Sequence, residues 1–90
     1  MSHPRERIRQ HFAVVIPVAI EDDEDIFQRG IVDSLFAVHL VLFIESEFSL
    51  TVESSELDIN NFCSISALTQ LVERKLMRTE QNESQRIGDR

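Results

Sequence analysis

The stretch Asp33–Phe48, DSLFAVHLVLFIESEF, decides the fold. At about 100° per residue, Ala37, Leu40, Val41, Ile44 and Phe48 gather on one side, the natural core face of a helix. Leu35, Val38 and Leu42 gather on a second side, flanked by His39, Glu45 and Ser46. Phe36 and Phe43 fall on a third side, where spacing alone leaves their burial open. A helix apolar on more than its core side is either central in a bundle or presents a contact surface. In so small a chain full burial is hard to arrange, so Leu35, Val38 and Leu42 are expected to stay partly exposed for partners. Asp33 is a good N-cap, because its carboxylate can accept from the backbone N–H groups ahead of it. Ser34 follows it, with a hydroxyl expected to be accessible rather than packed.

Upstream, residues 17–33 read as a long loop. Five consecutive acids, Glu21 to Asp25, would repel one another in a helix. Ile26 and Phe27 are expected to pin the loop to the core, and Gly30 marks a turn. A loop of this length in a compact domain is often functional. Before it, Ile8, Phe12, Val15 and Ile16 are spaced as one face of a helix. Pro4 suits its first turn and Pro17 stops it. Downstream, residues 49–63 predict a connection in which Leu50 and Val52 pack inward. Residues 55–59 form one short turn there, ended by Asn60 and Asn61. A last helix starts near Ser64, a plausible N-cap, with Ile65, Leu68, Leu71, Val72 and Leu76 at helical spacing. Residues 78–90 are polar apart from Ile87 and are expected to form a mobile tail, leaving residues 1–77 as the domain. The expected architecture is all-α: three main helices and one short one, with a long first connection.

The chain has 90 residues, 16 Asp and Glu against 9 Lys and Arg, and a formal net charge of −7. Residues 21–47 hold eight acids against Arg29 alone, a balance equal to the whole net charge. Such a field speeds encounter with basic partners and argues against nucleic acid, whose phosphates need a basic face. The alternative reading of the acids is a solvated, solubilising loop. The longest uninterrupted apolar runs, residues 12–16 and 40–44, have five residues each, so no membrane span is expected. The apolar residues 12–20 that follow Arg5, Arg7 and Arg9 are divided by Pro17, the layout is not read as a secretory signal, and a cytoplasmic location is expected. The lone Cys63 excludes an intrachain disulfide or a multi-cysteine zinc site.

The residues do not predict an enzyme. Ser34, His39 and Asp33 lie close in sequence, but five residues place the His39 ring about 140° around the helix from Ser34. There is no glycine-rich loop for an oxyanion hole or a phosphate. His3, His11 and His39 lack metal-ligand spacing with a carboxylate pair and are read as surface or boundary residues; no metal site is expected. Cys63 reads as a small packing residue. Ser34 stands apart, because a helix start offers a positive dipole end and unpaired N–H groups that suit a phosphate. On this reading Ser34 could receive a phosphodiester, with base and metal supplied by another protein.

At this point the segment Asp25–Ile26–Phe27–Gln28–Arg29–Gly30–Ile31–Val32–Asp33–Ser34–Leu35 resembles the attachment motif of acyl and peptidyl carrier proteins. That pattern is an acid, an apolar pair, a glycine, two apolar residues, then Asp-Ser-Leu. The resemblance extends from about Ile8 to Leu76. It implies a small acyl-carrier-like four-helix bundle whose Ser34 receives 4′-phosphopantetheine from coenzyme A, with Asp33 as the flanking motif residue. A separate, magnesium-dependent phosphopantetheinyl transferase would perform the transfer. The arm would hold an acyl or aminoacyl group as a thioester, passed between an activating ligase and a downstream transferase or synthase. Leu35, Val38, His39, Leu42 and Glu45 would form the partner face. Phe36 and His39 stand where fatty-acid carriers place acids. That departure points to a freestanding carrier in an amino-acid or specialised pathway, D-alanyl carriers included, rather than to housekeeping fatty-acid synthesis. The competing reading is an acidic helical module that binds a basic partner non-covalently through Leu35, Val38 and Leu42.

Overall fold

The computed structural model describes the backbone of residues 3–89 and the side chains of residues 3–77. Three α-helices, α1 (Pro4–Val15), α2 (Leu35–Phe48) and α3 (Ile65–Asp89), account for most of the chain, and the described residues contain no strand. The architecture is therefore all-α, as the periodicities predict. The expectation of a mobile tail over residues 78–90 lies outside the described side chains, although the helical backbone of α3 continues to Asp89.

Each helix boundary has a local cause. Pro4 occupies the first turn of α1, where its missing N–H is no loss, and the helix stops at Val15, two residues before Pro17, with Ile16 as its extended C-cap. At the start of α3 the Ser64 hydroxyl accepts from the Ala67 N–H at 3.0 Å, the geometry of an N-cap. The far end of α2 is closed by Ser49 in the left-handed region, φ 55°. There the Ser49 and Leu50 N–H groups both donate to the Glu45 carbonyl.

The core is drawn from all three helices and both connections. Ile8, Phe12 and Ile16 from α1 and its C-cap meet Leu40 and Ile44 from α2 and Ile65, Leu68, Leu71 and Val72 from α3. Ile26, Leu50 and Phe62 close the gaps from the connections. Full burial of side chains this size is worth about 1.5–3 kcal/mol each, so the loop residue Ile26, 0 % exposed, is an anchor rather than a passenger.

The long first connection is held more firmly than a solvated acidic loop would be. The Asp22 carboxylate takes Arg5 at 2.8 Å and Arg9 at 2.6 and 3.1 Å, tying the loop to α1. The Asp22 carbonyl accepts from the Ser66 N–H at 2.9 Å, tying the same residue to α3. Glu24 pairs with Arg29 and accepts from the Glu21 N–H. Asp25 accepts from the Phe27 and Gln28 N–H groups, and the Ile26 N–H donates to the Cys63 carbonyl at 2.8 Å. Much of the acidic run is thus structural. Gly30 then turns the chain with φ 73°, where an L side chain is strained.

The second connection differs from expectation in detail. Two 3-10 turns, Ser54–Glu56 and Ile59–Asn61, replace the single short helix expected over residues 55–59. Each has its own starter. Glu53 and Glu56 form a reciprocal capping box, and the Asp58 carboxylate accepts from the Asn60 N–H at 2.9 Å. Asn60 and Asn61 therefore sit inside a second turn rather than ending the first. Leu50 and Val52 do pack inward.

Candidate functional site

The chain leaves its pinned loop and enters α2 at Asp33–Ser34. The Asp33 carboxylate accepts from the Leu35 N–H at 3.1 Å, and its carbonyl accepts from the Phe36 N–H at 3.0 Å. The Ser34 carbonyl accepts from the Ala37 N–H at 3.1 Å. Capping is thus done by Asp33. Ser34 is exposed, with φ −66° and ψ −20°, and its side chain makes no cap hydrogen bond. One expectation is corrected here. The N–H groups of Leu35, Phe36 and Ala37 are already occupied, so the helix start does not present them as free anion donors. The positive end of the helix dipole still favours a phosphate at this point.

A shallow cleft adjoins Ser34. Val15, Ile31, Val32, Asp33, Leu35, Phe36 and His39 line it. On the outer side of α2, Leu35, Val38 and Leu42 are 74, 57 and 62 % exposed, so the second apolar side of the helix is a surface. His39 is exposed beside it. Glu45 is only half exposed and faces the end of the helix, where its carboxylate accepts from the Val52 N–H at 2.9 Å. It borders the apolar surface while serving the turn after α2. The wheel left Phe36 and Phe43 undecided; both are half-buried against α1. Phe36 meets Phe12 edge to face, and Phe43 stacks on His11 with ring centroids 3.8 Å apart.

Sequence reasoning missed a contact between α1 and α2. His11 on α1 and His39 on α2 meet with their Nε2 atoms 2.8 Å apart. Twenty-eight residues separate them, and no local pattern signals a pairing that depends on how two helices cross. Burial, followed by the neighbouring His39, lowers the His11 pKa, while Glu47 opposes the shift. Cys63 lies at the base of α3 near the Asn60 carbonyl, and burial raises its thiol pKa. A thiol shifted that way is a poor nucleophile, in keeping with a packing role. Among the described residues no group of three or more His, Cys, Asp or Glu is placed to hold a metal ion.

Residues 6–72 match the family described as "Phosphopantetheine attachment site". The chain belongs to that family. Members of the family carry covalently attached 4′-phosphopantetheine, and the residues at the start of α2 suit the group. A serine hydroxyl there is exposed and released from capping, and a shallow cleft lies alongside. Curated relatives include the D-alanyl carrier proteins of Streptococcus pyogenes serotype M5 (strain Manfredo), serotype M49 (strain NZ131) and serotype M1. Each is 37 % identical over 51 residues, which cover 57 % of this chain and 65 % of the relative. The family match favours a phosphopantetheine carrier over a non-covalent acidic module. No helix among the described residues is long and apolar enough to cross a membrane.

Proposed function

We propose that the chain is a carrier whose Ser34 is the point of attachment for 4′-phosphopantetheine, and that it moves an aminoacyl or acyl group between partner enzymes. The observation that carries this reading is the exposed Ser34 hydroxyl at the start of α2, free of capping duty because Asp33 holds the Leu35 N–H. Loading requires the Ser34 Oγ to attack the inner phosphorus of coenzyme A. The new bond is Oγ–P, and the pyrophosphate P–O bond breaks to release adenosine 3′,5′-bisphosphate. The hydroxyl proton leaves to a base of the transferase. The arm, when bound, supplies a terminal thiol that holds the cargo as a thioester. The protein itself is then a tethered substrate rather than a catalyst.

Partner contact on this reading falls on Leu35, Val38 and Leu42, with His39 beside them and Glu45 at the edge. A phosphopantetheinyl transferase, an activating ligase and a downstream transferase or synthase would dock there in turn, in the cytoplasm. Similarity to D-alanyl carrier proteins, together with Phe36 and His39 in place of acids after Asp33–Ser34–Leu35, supports an aminoacyl or specialised cargo. Intact-mass analysis after incubation with coenzyme A, magnesium and a broad-specificity transferase should show one phosphopantetheinyl adduct. Ser34→Ala should remove it. A folded wild-type protein left unmodified by several transferases, or an adduct that persists in Ser34→Ala, would overturn the assignment.

A further inference from the structure

The seam between α1 and α2 is built from side chains that reach across it. Arg7 pairs with the Glu47 carboxylate and lies over the Phe48 ring, 4.9 Å from its centroid. One turn further along α1, His11 stacks on Phe43 and meets His39, which in turn lies near the Phe36 ring at 5.1 Å. Phe12 closes the row against Phe36. The two imidazoles thus sit among aromatic rings, one turn from the Arg7–Glu47 pair.

Their geometry is specific. The ring planes differ by 14° and the centroids are 5.0 Å apart. With the Nε2 atoms at 2.8 Å, almost all of the centroid separation is that gap plus the radius of each ring. The rings therefore meet head-on, nitrogen to nitrogen, rather than face to face. Such an arrangement points the Nε2–H of one ring along the lone pair of the other. It leaves no space between the nitrogens for a metal ion, which needs about 2 Å from each ligand. The gap fits one proton and no cation.

We propose that His11 and His39 form a proton-shared clasp across the α1–α2 seam, which holds through a first protonation and opens at a second. In the neutral pair one ring donates Nε2–H and the other accepts. The first added proton goes to the outward Nδ1 of the donor ring, and the N–H···N bond survives. The second must take the shared lone pair on the acceptor Nε2. Two N–H donors on two cations then face each other, and the rings must part. What separates the two steps is the repulsion between two cations whose Nε2 atoms start 2.8 Å apart. Opening releases His39 toward the exposed Leu35, Val38 and Leu42 as a cation and frees Phe36 and Phe43 to move. The inference stands independently of whether Ser34 is loaded.

Stability follows with a definite sign. The folded His11 pKa lies below the ordinary value of about 6.5, so the unfolded chain binds that proton first. The contribution is complete above the ordinary value and falls as pH drops through it. It levels off below the folded value. The test is a ring-nitrogen NMR titration of the full chain from neutral to acid pH, with the Phe36 and Phe43 ring signals followed in parallel. Two coupled steps are expected, with both phenylalanine rings shifting only at the second. In His39→Gln, the His11 midpoint should move up and the phenylalanine response should vanish. The melting temperature of His11→Gln should also fall less on acidification than that of the wild type. Should His39→Gln fail to fold, the wild-type titration decides. Two independent histidine titrations, or phenylalanine rings silent through the second step, would overturn the clasp.

Discussion

Two single residues carry backbone conformations that their neighbours impose. Gly30 turns the acidic loop toward α2 with φ 73°, and a Cβ added there would meet nothing within 4 Å. The cost of Gly30→Ala is therefore conformational alone, about 1–2 kcal/mol, read as a lower denaturant midpoint with an unchanged slope. Ser49 is the mirror case, a residue with a side chain held at φ 55° where α2 ends. Ser49→Gly removes the left-handed strain and should raise stability by about 0.5–1 kcal/mol, after the extra flexibility of glycine in the unfolded chain is subtracted. Gly30 was legible as a turn because glycine is scarce in this sequence. The strain at Ser49 was not legible, since it follows from Leu50 folding back under the helix to bury itself.

At the level of elements, the first connection behaves as part of the scaffold. Asp22 joins α1, through Arg5 and Arg9, to α3, through the Ser66 N–H. Its hydrogen bond with Arg9, more than any other influence, holds its carboxyl pKa below the usual range. A depressed carboxylate contributes stability above its unfolded value of about 3.9. That contribution is lost as pH falls through the lower folded value. Asp22→Asn should accordingly melt earlier than the wild type at neutral pH, with the gap closing in strong acid. Thermal melts at a series of pH values check both halves of the statement. The helices themselves were readable from periodicity, because Ile8, Phe12, Leu40, Ile44, Ile65, Leu68 and Val72 repeat at the spacing that burial requires. The divided turn over residues 54–61 was harder to read. Capping by Glu53 and Asp58 depends on backbone angles that no hydrophobic pattern encodes.

For the whole molecule, the least expected polar contact ties the second connection to α3. Lys75 is 7 % exposed, and its Nζ lies 2.7 Å from the Glu56 Oε1, which also accepts from the Glu53 N–H. Lys75→Met removes the cation of a largely buried pair and one of the hydrogen bonds that Glu56 accepts, and should cost about 1.5–3 kcal/mol. Adding Glu56→Gln, which keeps an acceptor for the Glu53 N–H, should recover part of the loss. A double-mutant cycle in chemical denaturation measures the coupling. The pairing could not be read from sequence, where Lys75 looks like one more cation on a polar helix face. The place of Ser34 could, because Asp33, Ser34 and Leu35 sit where a loop gives way to a strongly apolar helix. The division of labour between Asp33 and Ser34 has a consequence for recognition. Since α2 begins from the aspartate, an ester on the neighbouring serine subtracts no bond from the scaffold. On the proposed attachment, loaded and empty forms would share one frame, and an enzyme that must tell them apart would have to sense the appended group itself.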